Sequence, residues 1–215
     1  LSTNIDAAFD WYFAPGGVFG VGVFHKTIKD YIFTRTTPGT NVTFQTITYP
    51  SVLLSQPANA GEADVTGIEV NYQQQFEFLP GAFSGLGIAA NLTLTDSNVD
   101  VEGRGTLALP RQSDRVWGVQ LFYQKYGFEG ALAYHYTSAY LDTVGASAAV
   151  DTYFNRFRRV DAKVSYALTP RLKVFVEGQN LNDETLWEYQ GGRPDWLIGY
   201  EQYGRTTYLG LSANW

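Results

Sequence analysis

The chain has 215 residues, with 15 Lys and Arg against 21 Asp and Glu, a net charge of −6, no Cys and two His. The acidic balance argues against a general nucleic-acid partner, and the lack of Cys removes disulfides and thiolate metal sites. Aromatics at 16% nearly equal charged residues at 17%, many aromatics and few charges for a water-soluble domain.

The dominant period is two. In Ser2–Phe13 the side chains of Ile5, Ala7, Phe9, Trp11 and Phe13 fall on one face, and Asn4, Asp6 and Asp10 on the other, which predicts a strand. "APGG" turns the chain, and a second strand is expected over residues 18–33. A long polar stretch follows, from about Thr34 to Asp64. The alternation resumes in "VTGIEVNYQQQFEF", where Ile68, Val70, Tyr72, Phe76 and Phe78 oppose Glu69, Asn71, Gln73, Gln75 and Glu77. After "LPGAFS", Leu86, Ile88, Ala90, Leu92 and Leu94 alternate with Gly87, Ala89, Asn91, Thr93 and Thr95. A polar loop is expected over 96–114. Further strands are read in "RVWGVQLFYQ", "FEGALAYHYTSAYL", "RVDAKVSYAL", "LKVFVEGQNLND" and "YGRTTYLGLSANW".

Connections alternate short and long, the layout of an outer-membrane β-barrel with short periplasmic turns and long extracellular loops. The expected fold is all-β: an antiparallel transmembrane barrel with about nine strands in this chain. Backbone groups in lipid must be paired internally, so the sheet has to close. An odd strand count therefore points either to the C-terminal portion of a larger barrel or to a missed strand and a ten-stranded barrel. Aromatics near strand ends (Trp11, Phe13, Phe76, Phe78, Tyr123, Tyr134, Tyr136) read as interfacial girdles. The apolar face then meets lipid, and the amide-rich and glycine-rich face lines a wet interior.

Catalysis is not expected. His25 and His135 have no partner at metal or triad spacing, and no phosphate-binding loop or nucleophile elbow occurs; no cofactor is called for. Asp96, Asn98 and Asp100, spaced two apart in "DSNVDVEG", are calcium candidates by ligand type, although Val101 stands where an EF-type loop needs Gly. The last long loop, "ETLWEYQGGRPDWLIGYEQY", gathers Trp187, Tyr189, Arg193, Asp195, Trp196 and Tyr200. Rings offer faces to sugar C–H groups while Arg and carboxylates take hydroxyls, so this loop is the ligand-binding candidate. Rings can equally pack such a loop down. Arg156, Arg158 and Arg159 form a basic cluster suited to lipopolysaccharide phosphates or an anionic substrate, or to pairing with carboxylates such as Asp161.

"GIEVNYQQQFEFLPGAFSGLGIAANLTLTDS", "RRVDAKVSYALTPRLKVFVEGQNLNDE" and the closing "YGRTTYLGLSANW" resemble the late barrel of TonB-dependent outer-membrane receptors, most of all the group known from Caulobacter and Xanthomonas. The resemblance covers almost the whole chain. It implies that residues 1–215 are the C-terminal part of a 22-stranded barrel in the bacterial outer membrane, with an N-terminal plug and early strands outside this chain. It implies TonB-energised uptake, partnered by the TonB–ExbB–ExbD complex, of an oligosaccharide or, as in much of the superfamily, an iron chelate. It also makes the terminal aromatic Trp215 part of the signal read by the outer-membrane assembly machinery. The other class in view is a small complete barrel acting as a passive pore or structural protein.

Overall fold

The computed structural model describes residues 1–213; the assembly signal expected at Trp215 lies outside the described residues. The elements run β1 (Ser2–Ala14), β2 (Gly17–Ile28), β3 (Ile32–Phe44), β4 (Ile47–Asn59), β5 (Ala63–Gln75), β6 (Leu86–Val101), β7 (Gly105–Leu107), β8 (Arg115–Lys125), β9 (Phe128–Thr137), β10 (Tyr140–Thr143), β11 (Thr152–Phe154), β12 (Phe157–Thr169), β13 (Leu172–Gln179), β14 (Leu186–Gln190), β15 (Arg193–Glu201) and β16 (Thr206–Ala213). Two short 3₁₀ turns, Gly81–Gly85 and Ala148–Val150, complete them.

Nine strands form one antiparallel path in the order β1-β2-β5-β6-β8-β9-β12-β13-β16, with β7 added beside β6. The expected count of nine is met. β1 and β16 each have one neighbour in the path and do not pair with each other, so the barrel is not closed within this chain. The ten-stranded closed alternative is not what forms.

The register confirms the two faces. On one face Trp117 stacks on Tyr134 at 5.1 Å and on Tyr136 at 5.6 Å near the long-loop end. Phe13–Tyr72, Phe76–Phe78 and Phe128–Tyr166 cluster at the short-turn end. Between these two aromatic bands lie Val119, Leu121, Leu132, Val164 and Val176, among them exposed Leu121, Leu132, Val164 and Val176. An exposed apolar band between two aromatic girdles is a lipid-facing surface.

The opposite face is polar and carries a recurring device. Phe24 lies over Gly67, Phe122 over Gly87 and Phe175 over Gly210, each pair directly opposite across two strands. A Cβ on those glycines would sit 2.3, 2.2 and 2.4 Å from the ring. Glycine there lets the ring lie flat on the interior wall. The same wall carries Lys173–Glu129 and Lys163–Glu177 ion pairs at 2.7 and 3.2 Å and His135 beside Gly118, the interior position its polar phase predicts.

The long connections depart from the sequence expectation. The second strand ends at Ile28, and the stretch expected to be a polar loop from about Thr34 to Asp64 is a hairpin, β3–β4, of two 13-residue strands, with Asp64 already in β5. Residues 96–101 continue β6 rather than opening a loop. β10, β11, β14 and β15 join two different connections into a separate four-stranded sheet.

Candidate functional site

The long-loop end is organised around a small dry core: Ala63, Val65, Val99, Leu109, Leu141 and Val144 are buried together, with Tyr153 and Phe24 packed against them. A buried ion pair sits beside it. The Arg104 guanidinium donates to both Asp151 carboxylate oxygens, at 3.1 and 2.6 Å, and to the Gly145 carbonyl at 2.5 Å. The Gly145 amide donates to the same carboxylate at 2.8 Å, and the Gly191 amide to the Asp151 carbonyl at 2.9 Å. The two side chains are 14% and 3% exposed. The Asp151 carboxylate thus ties 102–114 to 138–156, and its main-chain carbonyl adds 180–205 through Gly191. Nothing in the local sequence announces this clamp, since its members are 47 residues apart.

The six ring and charge candidates of the last loop do not form one cluster. Tyr189 is 7% exposed and stacks on Tyr153 at 5.4 Å, nearly parallel. It packs the loop sheet together. Burial pushes its phenol pKa up, and burial and then the Asp151 charge do the same for Tyr153. The other five stay near the surface. Trp187 and Tyr200, opposite each other in β14–β15, have ring centroids 6.4 Å apart and are 41% and 53% exposed. Arg193 lies over the Trp196 ring at 4.3 Å and pairs with Asp195 at 3.0 Å. That hydrogen bond holds the Asp195 carboxyl below its ordinary value. β15 is an edge strand, so it offers a ring, a guanidinium, a carboxylate and free backbone groups on one ledge. Such a ledge can stack on an apolar ligand face and hydrogen-bond hydroxyls or carboxylates.

Asp96, Asn98 and Asp100 lie along β6, all pointing to its exposed side, opposite Thr66, Asp64 and Glu62 in turn or hydrogen-bonded to Thr106. An extended strand spaces such residues about 6.6–6.8 Å apart, so they form a row and do not wrap round an ion. Among the described residues no group of three His, Cys, Asp or Glu is placed to hold a metal.

The basic cluster is divided by the strand it sits on. Arg159 faces the interior and pairs with Asp161 at 2.8 Å. Arg158 stands opposite Tyr136 on the lipid-side face and approaches Glu184 at 3.5 Å. Above β13 a polar turn takes over the ladder for β12. Leu181 N donates to Val160 O, Asn182 Oδ1 accepts from Val160 N, and Asn182 Nδ2 donates to Arg158 O. Glu184 Oε1 accepts from Arg158 N. Asn180, with φ +53°, holds the turn by accepting from Glu184 N and donating to the Glu184 and Gly204 carbonyls. "QNLNDE" is therefore a surrogate strand.

Comparison with known proteins agrees with this architecture. Residues 1–181 match the family model "TonB dependent receptor-like, beta-barrel". No curated protein matches the chain. Among solved structures, the ferric enterobactin receptor PfeA of Pseudomonas aeruginosa, in a G324V mutant, is 21% identical with a TM-score of 0.63, over 99% of this chain and 31% of that one. The ferric citrate transporter FecA, unliganded, is 15% identical with a TM-score of 0.70, over 99% and 31%. The FrpB iron transporter of Neisseria meningitidis is 17% identical with a TM-score of 0.63, over 99% and 30%. At these identities the likeness is one of fold, and this chain spans about three tenths of each relative's length. A lipid-facing band between two girdles, an open nine-strand path and a match over residues 1–181 lead to one assignment: the chain belongs to the TonB-dependent receptor β-barrel family of the Gram-negative outer membrane.

Proposed function

We propose that residues 1–215 are the C-terminal barrel portion of a receptor that takes up an oligosaccharide across the outer membrane. In this reading the rest of the polypeptide supplies the early strands and an interior plug, and TonB with ExbB and ExbD drives release inward. The chain's own share is lumen wall, extracellular loops and the closing strand, whose terminal Trp215 engages the assembly machinery. No enzymatic role is proposed. The observation that carries the cargo assignment is the β14–β15 ledge: exposed Trp196 under Arg193, the Arg193–Asp195 pair, and exposed Tyr200 opposite Trp187. Rings with interleaved hydrogen-bonding charges suit a sugar's two kinds of surface. Motif resemblance to the Caulobacter and Xanthomonas group supports the same cargo.

A second reading has its own support. The similar solved structures are described as a ferric enterobactin receptor, a ferric citrate transporter and an iron transporter, which favours a ferric chelate. Calorimetric titration of the full-length receptor with maltodextrin and amino-sugar oligomers, and with ferric chelates, separates the two. Sugar binding that weakens about tenfold in Trp196→Ala or Tyr200→Ala is the expected result. Chelate binding with no sugar response overturns the oligosaccharide assignment.

A further inference from the structure

The interior wall carries an aromatic site of its own, toward the short-turn end. Phe122 lies over Gly87, half-buried, and lines a cleft of about 410 Å³ on the lumenal face. Gln120 and Gln124 flank it on β8 in the same alternation. Gln73 stands opposite Ala89, and Ala89 opposite Gln120, so a second amide reaches the cleft from β5 across one small residue. Ala131, opposite Phe122 on β9, keeps the other side low. A further cleft of about 270 Å³ shares Gln73 and Gln120 and continues toward the long-loop end past Asn71, Asn91 and His135.

The charges at this site are already engaged. Glu129 accepts from Lys173 at 2.7 Å and from Ser165 at 3.2 Å. Lys163 pairs with Glu177 at 3.2 Å and lies over the Phe175 ring at 5.1 Å. The amides of Gln73, Gln120 and Gln124 differ. They are exposed, and among the described residues no hydrogen bond within the chain engages them.

That combination selects a ligand class. Each amide offers a donor and an acceptor, as a hydroxyl does. A ring face takes an apolar C–H surface. The volume falls within the range of small-molecule sites, about 300–1,000 Å³. An anionic chelate finds no unpaired cation in the lining, and so no charge-assisted hydrogen bond.

We infer that the cleft of Phe122, Gln73, Gln120 and Gln124 is a lumenal subsite for a neutral sugar unit of the oligosaccharide, met between the ledge and the periplasmic end. This rests on the oligosaccharide reading and extends it from capture to passage.

The test uses the full-length receptor in energised cells, with maltoheptaose and the N-acetylglucosamine heptamer as probes. These 215 residues contain no cysteine, so Ala131→Cys places a reporter thiol in the cleft. Ala8→Cys, on the interior side of β1 opposite Gly22, is the control outside it. Heat-modifiable gel mobility reports whether each variant is folded. A saturating sugar is expected to slow modification of Ala131→Cys by a small methanethiosulfonate about threefold or more, and to leave Ala8→Cys unaffected. Adding Gln73→Leu and Gln120→Leu to Ala131→Cys should raise the sugar concentration for half-protection about tenfold. Calorimetric binding of a sugar with no protection at Ala131→Cys overturns the subsite alone. So does equal protection at Ala8→Cys, equal protection by a ferric chelate, or a thiol at 131 that never reacts because an interior segment covers the wall. Absence of calorimetric binding for both sugars overturns the oligosaccharide reading and the subsite with it.

Discussion

Replacing Asp151 by Ala tests what holds the extracellular loops down. The carboxylate is 3% exposed and accepts from Arg104 twice and from the Gly145 amide. Its removal leaves the Arg104 guanidinium, itself 14% exposed, with only a carbonyl partner. Breaking one side of a buried ion pair costs about 3–5 kcal/mol, mostly through the charge left behind. The dry core beside it sets the scale. Burying Leu109, Leu141 and Val144 contributes about 6 kcal/mol together, and that is an upper figure because unfolded loops are already partly compact. Losing the clamp therefore consumes at least half of the local stability. The open population of residues 102–114 and 138–156 should rise about 100-fold or more. Limited proteolysis of the full-length receptor in membranes, in the regime where cleavage follows the open population, reads this directly. The barrel strands should be untouched, because no clamp residue belongs to the nine-strand path. The double variant Arg104→Met, Asp151→Leu should recover most of the loss. Wild-type cleavage rates in Asp151→Ala, or failure of the double variant to recover, would refute this account.

Gly87→Val would place side-chain atoms where the Phe122 ring lies, 2.2 Å from the new Cβ; a loss of about 1–3 kcal/mol is expected from overpacking, measured by urea unfolding, with Phe122→Ala in the same chain relieving it. Asn182→Ala removes one bond to Val160 N and one to Arg158 O; about 1–2 kcal/mol should go, visible as faster hydrogen exchange at the Val160 amide. High pH should loosen the loop sheet. Burial raises the phenol pKa of Tyr140, Tyr153 and Tyr189 in the folded loops, so the neutral form favours the folded state. Their contribution is complete below the ordinary tyrosine value of about 10, and it fades as pH rises from there through the raised folded values. Loop cleavage should therefore accelerate above about pH 10, with Tyr153→Phe and Tyr189→Phe blunting the effect; a flat profile would count against it.

The membrane-spanning half of the fold was legible because bilayer and water impose opposite preferences on alternate residues. Leu86, Ile88, Leu92 and Leu94 against Gly87, Asn91 and Thr93 suffice to give both the strand and its faces. The β3–β4 hairpin was not legible. Its run is polar and carries Pro38, Pro50 and Pro57, and proline is tolerated in a two-stranded ribbon, where each strand keeps one unpaired edge. The Arg158–Arg159 division was legible in principle, since neighbours on a strand must face opposite ways. The Arg104–Asp151 clamp was not, because its energy exists only once two loops have docked.

The candidate site shows the same limit. Composition alone gathers Trp187, Tyr189, Arg193, Asp195, Trp196 and Tyr200 into one patch, yet a strand pairing divides them. Tyr189 turns to Tyr153 and the loop core, while Trp196, Tyr200 and the Arg193–Asp195 pair stay on an outer edge. That division has a mechanical consequence. Tyr189 anchors β14 to β11, and the Gly191 amide, at the β14–β15 turn, is held by the Asp151 carbonyl. The ledge is therefore carried on the clamp. Whatever ligand the ledge takes, its affinity should fall in Asp151→Ala even though Asp151 is buried away from the surface. The size of that fall measures how far the ledge must be pre-ordered to bind. If ledge affinity survived in a variant whose loops are demonstrably open to protease, the β14–β15 hairpin would be an autonomous binding element, and the shared four-stranded sheet would have no part in presenting it.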